Sequence, residues 1–369
     1  MAGIPVRAHW SALAITAVIV GLLGTTVLPR AVPGSGQPEY WLVAVVTGVL
    51  FIASLLAHEL AHALVARRCA LDVGSVTLWV LGGYTEVEAG AKSPRVELAT
   101  AAAGPLVSLG VAVLSLLAYL FLPRPALPAS GAAWLGTMNL LLGLFNLLPG
   151  APLDGGRVLH ALVWWRSGDA SRADRAAARA GHVLGTTLLS TGVVIMLLWN
   201  WLNGLWLAVL GWYIATSARQ ELTLKLARAG LGGLTVRDVM TPMPDLAPAW
   251  MNVEGLIQKV VLNSRQTIFP VVTFTGTPVG SVSLDTLAAV PAERRSSTRV
   301  ETLTTAQRPV RTLAPGDGAV LLLDQSPQSR LVAAVVEDGR LVGMVTGADL
   351  GRALGQALLR TGADAHTSG

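Results

Sequence analysis

Long uncharged stretches alternate with short basic segments over roughly the first 230 residues. No Asp, Glu, Lys or Arg occurs from Ala8 to Pro29, Tyr40 to Ala57, Leu98 to Pro123, Pro125 to Leu153, or Ala180 to Ala218. Runs of this length predict helices that cross a bilayer, which takes about 20 apolar residues. The last run is too long for one crossing. Near its middle stands Trp199-Asn200-Trp201-Leu202-Asn203-Gly204, whose tryptophans, Asn and Gly read as an interfacial turn between two helices. Six spans are predicted: 10–29, 40–68, 98–121, 131–165, 183–200 and 204–220. Between the second and third, Val73 to Val87 is rich in β-type residues and predicts a short strand segment. After about residue 230 the period changes. Thr267–Val272 and Leu331–Val336 read as buried strands, and Asp338-Gly339 joins the second of these to Leu341–Val345 as a hairpin. Asp349–Leu359 reads as helix. The predicted fold is a polytopic α-helical membrane domain followed by a smaller α+β module.

Composition supports the membrane assignment. Of 369 residues, 52% are hydrophobic and 13% charged, and the mean hydropathy is +0.57. An average soluble domain is about 25% charged, so a disordered chain is excluded and the deficit argues against an ordinary soluble enzyme. The net charge of +5 is not a nucleic-acid signature, because the cations cluster beside the apolar runs. Arg67, Arg68, Lys92 and Arg95 follow the second span. Arg166, Arg172, Arg175 and Arg179 follow the fourth, and Arg219, Lys225 and Arg228 the sixth. The opposite loops carry only Arg30 and Arg124. This asymmetry predicts a multi-pass protein of the cell membrane with both termini cytoplasmic. The first apolar run lacks a convincing small-x-small cleavage site and reads as a retained span. The lone cysteine, Cys69, reads as a small hydrophobe.

The chemistry lies inside the second span, in His58-Glu59-Leu60-Ala61-His62. Residues i and i+4 share a helix face, so His58 and His62 can hold one metal ion, with Glu59 beside them to accept a proton from an attacking water. Ionisable groups within membrane spans are rare and functional by default. Zinc at a catalytic site takes three protein ligands and keeps one position open. The best third candidate is Asp154, in Asn146-Leu-Leu-Pro149-Gly-Ala-Pro152-Leu153-Asp154-Gly-Gly-Arg157. Irregular backbone at membrane depth must line a cavity or be buried in protein. On spacing alone Asp154 is either a metal ligand or a helix N-cap at the cytoplasmic surface.

HELAH in a membrane helix followed by FNLLPGAPLDGGR resembles the site-2 protease family of intramembrane zinc metalloproteases. Leu81-Gly82-Gly83-Tyr84, the small-residue stretch from Glu97 to Gly104-Pro105, and Arg7-Ala8-His9-Trp10 resemble further family segments. The resemblance covers residues 1 to about 220. It implies that His58, His62 and Asp154 bind one Zn2+ and that Glu59 is the general base. It also implies that Asn146 positions the substrate or polarises the scissile carbonyl, against the alternative of a helix-end hydrogen bond. Asn139, seven residues earlier, reads as an interhelical glue residue, and His9 as an interfacial structural residue. A helical substrate hides its carbonyls and must unwind, and an extended segment can then pair with an exposed edge strand, for which Val73–Val87 is the candidate.

Thr235-Val-Arg-Asp-Val-Met240-Thr-Pro242 resembles the opening of a cystathionine-β-synthase (CBS) domain, and Gly343-Met-Val-Thr346-Gly-Ala-Asp349 the end of a second copy. The organisation predicted is a membrane metalloprotease domain at 1–230, CBS domain 1 at 231–292, and CBS domain 2 with the C-terminal tail at 298–369. Such modules bind adenine nucleotides, which the resemblance would place at Thr346 and Asp349, with Ser283 and Thr286 as the equivalents in the first copy. There the acid is missing. The alternative for the module is a structural or homodimerising role. The reading is an intramembrane zinc endopeptidase acting on membrane-spanning regulatory proteins and tuned by its CBS domains. The alternatives are a non-proteolytic CBS-regulated transporter and a pseudo-protease scaffold.

Overall fold

The computed structural model describes residues 5–79, 82–87, 91–304, 311–324 and 331–364. Contacts divide the chain into two compact units, Met1–Leu222 and Thr223–Gly369.

The first unit opens with β1 (Val6–Ala8) and α1 (Trp10–Leu22). His9 caps α1, its Nδ1 accepting from the Ser11 amide at 3.3 Å, which is the structural role expected of it. A π-helical turn, Leu23–Val27, leads into α2 (Leu28–Ala31). Then follow α3 (Gln37–Arg68), β2 (Val73–Trp79), β3 (Gly82–Val87), α4 (Pro94–Phe121), α5 (Leu127–Asn146), α6 (Asp154–Ser167), α7 (Ala170–Leu198) and α8 (Trp201–Leu231), whose residues from Thr223 onward belong to the second unit. α3 spans roughly 48 Å at 1.5 Å per residue, more than the ~30 Å hydrocarbon core. Its start carries Pro38 and Glu39 and its last turn Arg67 and Arg68, each charge matched to its end of the helix dipole.

Among the described residues four helices are long and apolar enough to cross a bilayer: Trp10–Ala31, α3, α4 and α7. The count of six is not reproduced. The predicted fourth span, 131–165, is broken after Asn146, because Pro149, Gly150 and Pro152 cannot continue a helix, and it becomes α5 and α6. Trp, Gly, Asn, Ser and Thr dilute the hydropathy of α5 and α8. The expected turn of the last hairpin is present: Asn200 Oδ1 accepts the Leu202 and Asn203 amides at 3.1 and 3.0 Å and starts α8. Small residues line the α7–α8 seam, where Gly185 packs on Ala215 and Gly192 on Ala208.

The buried positions of α3 and α4 are small or polar. In α3 they are Tyr40, Ala44, Thr47, Gly48, Ser54, His58, His62, Ala63 and Ala66. Leu42 is 67% exposed and Leu114 68%. An apolar exterior around a polar, small-residue interior is the arrangement of helices solvated by lipid. The expected strand segment is present as an antiparallel hairpin, with Thr77 opposite Tyr84. β1, which the sequence did not announce, pairs in parallel with β2, Val6 opposite Val76. The sheet order β1-β2-β3 leaves β3 at an edge. Leu81 lies outside the described residues.

The second unit repeats one plan. In the first copy, β5 (Ala247–Pro248) pairs in parallel with β6 (Ile268–Val272) across α10 (Val253–Lys259). β6 then turns back into β7 (Pro278–Ser283), followed by α11 (Leu284–Ala288). In the second, β8 (Thr312–Leu313) pairs in parallel with β9 (Leu331–Glu337), which turns back into β10 (Arg340–Thr346) and α12 (Gly347–Asp364). Asp338 (φ 51°) and Gly339 (φ 77°) both take positive φ, as a type I′ hairpin turn requires. The lead-in helix α9 (Val236–Val239) and strand β4 (Thr241–Pro242) belong spatially to the second copy. Leu231, Val236 and Val239 pack into its core, and β4 pairs with β10. The first copy has its own core around Phe269, Val271, Leu256 and Val282.

Candidate metal centre

His58 and His62 stand one turn apart on α3, both buried, with their Nε2 atoms 3.3 Å from each other. Each ring is fixed by its other nitrogen. His62 Nδ1 lies 2.7 Å from the Thr100 carbonyl, which can only accept, so Nδ1 carries the proton and Nε2 presents its lone pair. His58 Nδ1 lies 2.9 Å from Ser108 Oγ. Thr100 and Ser108 are both on α4, so one helix orients both imidazoles. Between them stands Gly104, where a Cβ would collide with the Nε2 atoms of both histidines. Glycine is required there because the donors occupy the space that any side chain would fill. That gives a physical reason for the small-residue stretch before Pro105.

Asp154 is the first residue of α6. Its Oδ2 is 3.3 Å from His58 Nε2 and 3.3 Å from His62 Nε2. The N-cap position of α6 is Leu153, without a side-chain cap. The Asp154 carboxylate is therefore turned to the histidines. Gly155 and Gly156 make this possible: a Cβ on either would strike the backbone of the 147–151 turn that folds back against the helix start. The turn is further held by the Ala151 amide, which donates to the Ala177 carbonyl of α7 at 3.2 Å.

The three atoms form a triangle with 3.3 Å edges. Donors about 2.0–2.1 Å from a zinc ion in tetrahedral array stand roughly 3.3–3.4 Å apart, so two imidazoles and a carboxylate in this triangle fit zinc and leave a fourth position open. Among the described residues this is the one group of three or more His, Cys, Asp or Glu donors converging within ligation distance.

Glu59 follows His58 on α3 and is partly buried. Asn146 is the last residue of α5, half-buried at the mouth of the broken turn, and its side chain makes no hydrogen bond among the described residues. The helix-end bond considered for it is not found among the described residues. Asn139 is fully buried, but its Nδ2 donates to Leu135 of its own helix at 3.0 Å and its Oδ1 has no partner among the described residues. Its bond is thus within α5 rather than between helices. α5 instead meets α4 through Gly136 and Gly143, which pack on Leu116 and Leu109.

One charged cluster went unnoticed in the sequence. His160 of α6 is 7% exposed, with Nδ1 2.7 Å from Glu97 Oε2 of α4 and Nε2 3.2 Å from Asp174 Oδ1 of α7. The only available signal was a histidine on the helical stripe of an apolar segment.

In the second unit Asp349 is buried and accepts four donors. They are the Thr346 amide (3.0 Å), Thr346 Oγ1 (2.7 Å), Thr241 Oγ1 (2.9 Å) and the Arg352 guanidinium (2.6 Å). Ser283 Oγ lies 2.9 Å from Thr286 Oγ1 and accepts the Thr286 amide, capping α11. The structure thus places Thr346 with Asp349, and Ser283 with Thr286, at equivalent strand-to-helix junctions of the two copies.

Against known proteins, the family model of Peptidase family M50 matches residues 46–130 and 126–188. The candidate zinc metalloprotease Rip3 of Mycobacterium tuberculosis is 43% identical over 359 residues, covering 95% of this chain and 91% of that protein. Among solved structures, a site-2 protease from Methanocaldococcus jannaschii is 26% identical, with TM-score 0.43, covering 60% of this chain and 92% of its own. The CBS domain of a bacterial CNNM/CorC family Mg2+ transporter, solved in complex with ATP, is 22% identical with TM-score 0.31, covering 37% of this chain and 96% of its own.

Proposed function

The chain belongs to peptidase family M50, and from that premise we propose that it is an intramembrane zinc endopeptidase cutting within or near membrane-spanning segments of regulatory proteins. The observation that carries the reading is the triangle formed by His58 and His62 of the membrane-length helix α3 with Asp154 of α6, the Nδ1 atoms of both histidines being engaged by α4.

Bound by these three residues, zinc supplies Lewis-acid polarisation of the scissile carbonyl and an acidified water. The protein's own groups do the rest. Glu59, next to the histidine pair, takes the water's proton and returns it to the leaving amine. The Asn146 amide, without a hydrogen bond among the described residues, donates to the carbonyl oxygen as charge develops there. The Thr100 carbonyl holds His62 in the ligating tautomer, and Ser108 orients the ring of His58. The substrate unwinds and adds as a strand to the open edge of β3, which exposes the peptide group to attack. The basic loops support a multi-pass arrangement with both termini cytoplasmic. His58 then lies roughly 14 Å inside the interface marked by Arg67, at 1.5 Å per residue.

The second unit is read as a CBS-type regulatory module that also offers a homodimer contact. An adenine nucleotide bonded to the Asp349 carboxylate would compete there with Thr241 of β4 and Arg352 of α12. Calorimetric titration of the full-length protein with ATP and AMP tests this, and no heat with either leaves dimerisation as the module's role.

The first test is the zinc content of the detergent-purified protein beside His58→Ala and Asp154→Ala. About one ion per chain, lost in both variants, is expected for a three-ligand site. A folded parent without zinc after reconstitution would redirect the reading to a transporter or scaffold.

A further inference from the structure

The three metal donors sit on two helices of very different security. α3 is 32 residues long and crosses the unit. α6 has 14 residues, roughly 21 Å, too short to span the ~30 Å core, and it follows a non-helical turn. Its end bearing Asp154 is therefore placed by lateral contacts rather than by the bilayer.

His160 supplies one such contact on each side. It lies six residues after Asp154, about 9 Å along the helix axis. Its two ring nitrogens face carboxylates on two different helices, Glu97 on α4 and Asp174 on α7. A neutral imidazole has a single N–H, so bonding both carboxylates requires the doubly protonated ring. The 2.7 Å contact to Glu97 is the length of a charge-assisted bond. Burial disfavours the charge, but the hydrogen bonds and charges of Asp174 and Glu97 outweigh it and push His160 up to about 9. A buried charge that loses its partner is strongly destabilising, so the pair resists separation. α4 is also the helix that fixes both metal-site histidines, through Thr100 and Ser108. The Glu97–His160 bond therefore refers the third donor to the same helix as the first two.

We propose that His160 is a positioning residue for the metal centre: by bonding Glu97 and Asp174 together it pins α6 between α4 and α7 and so holds the Asp154 carboxylate against His58 and His62. This rests on the zinc reading above.

The test uses the full-length protein in detergent. Two quantities are read: zinc affinity by competition with a chromophoric chelator, and the d–d absorption of the cobalt-substituted protein. In His160→Asn, zinc affinity falls about 10–100-fold, the range for outer-shell partners of metal ligands, and the cobalt spectrum changes as the carboxylate donor is displaced. In His160→Asn with Asp154→Ala, little further affinity is lost, because the donor is already misplaced. A folded His160→Asn with the parent's affinity and cobalt spectrum would overturn the proposal, even if its melting temperature is lower. Should His160→Asn fail to fold, Glu97→Gln and Asp174→Asn keep their shapes and decide by the same two readouts. A parent that binds no zinc sinks the metal reading and this inference with it; a normal parent beside unchanged variants sinks the inference alone.

Discussion

The two units differ in the balance of side chains they bury. The first, besides an apolar cluster around Leu23, Leu28 and Leu127, conceals Ser54, His58, His62, Glu97, Thr100, Ser108 and Asn139 among alanines and glycines, and turns most of its valines and tryptophans outward. The second conceals Phe269, Leu256, Val271, Leu322 and Val335, as a water-soluble domain does. The solvent explains the difference. In lipid, apolar surface gains nothing by burial, so helices associate through small residues and buried hydrogen bonds. In water, apolar burial drives folding. The difference has a functional consequence: a polar interior at membrane depth is where a charged metal site can be held and kept from lipid.

The contrast can be broken or sharpened by experiment. The largest effect is expected inside the polar interior of the first unit: Glu59→Gln lowers peptide cleavage by about 10²–10⁴-fold while zinc stays bound, measured with a reconstituted membrane substrate and by metal analysis. Cleavage at the parent rate would remove Glu59 as the base. Gly104→Ala, which adds one methyl group against both histidines, weakens zinc binding by about 100-fold; binding at parent strength would show that α4 does not back the site as closely as the geometry requires. In the second unit the same logic turns apolar. Phe269→Ala costs about 3–5 kcal/mol of that unit's stability, followed by denaturant melting of the full chain.

A smaller effect is expected from pH. A histidine held at about 9 rather than the ordinary 6.5 gives stability that is complete below 6.5 and is lost as pH rises through 9. The parent's melting temperature should therefore fall by a few degrees more than that of His160→Asn between about pH 7 and 9.5. Parallel curves would show that His160 is not the titrating group. The smallest effect is predicted for Leu114→Ala on the outward face of α4, within about 0.5 kcal/mol of the parent, because the side chain leaves lipid for lipid. A core-sized loss at Leu114 would mean that this face is covered by protein.

Much of the site was legible because it is local. The i, i+4 spacing of His58 and His62 survives in any helix, and the length of the surrounding apolar run fixed its setting. The hairpin at Asp338-Gly339 and the turn at Asn200 were readable for the same reason: each depends on a few adjacent residues. The expected span 131–165 failed because an average over an apolar run hides Pro149 and Pro152, which break the helix after Asn146 and allow Asp154 to begin a new one. Asn139 was misjudged because spacing shows which face a residue occupies but not where its amide finds a partner.

By itself, then, the sequence determined the class of solvent around each half, the face bearing the histidine pair, and the small-residue character of the helix behind it. Tertiary structure alone decided that Asp154 turns from a helix start toward two histidines on a distant helix, and that Gly104 gives those donors their space. It alone joined His160 to Glu97 and Asp174. The reason is range. Periodicity and turn chemistry act over a few residues and leave a pattern in the chain, whereas a contact between distant segments depends on how whole helices pack and leaves no local trace.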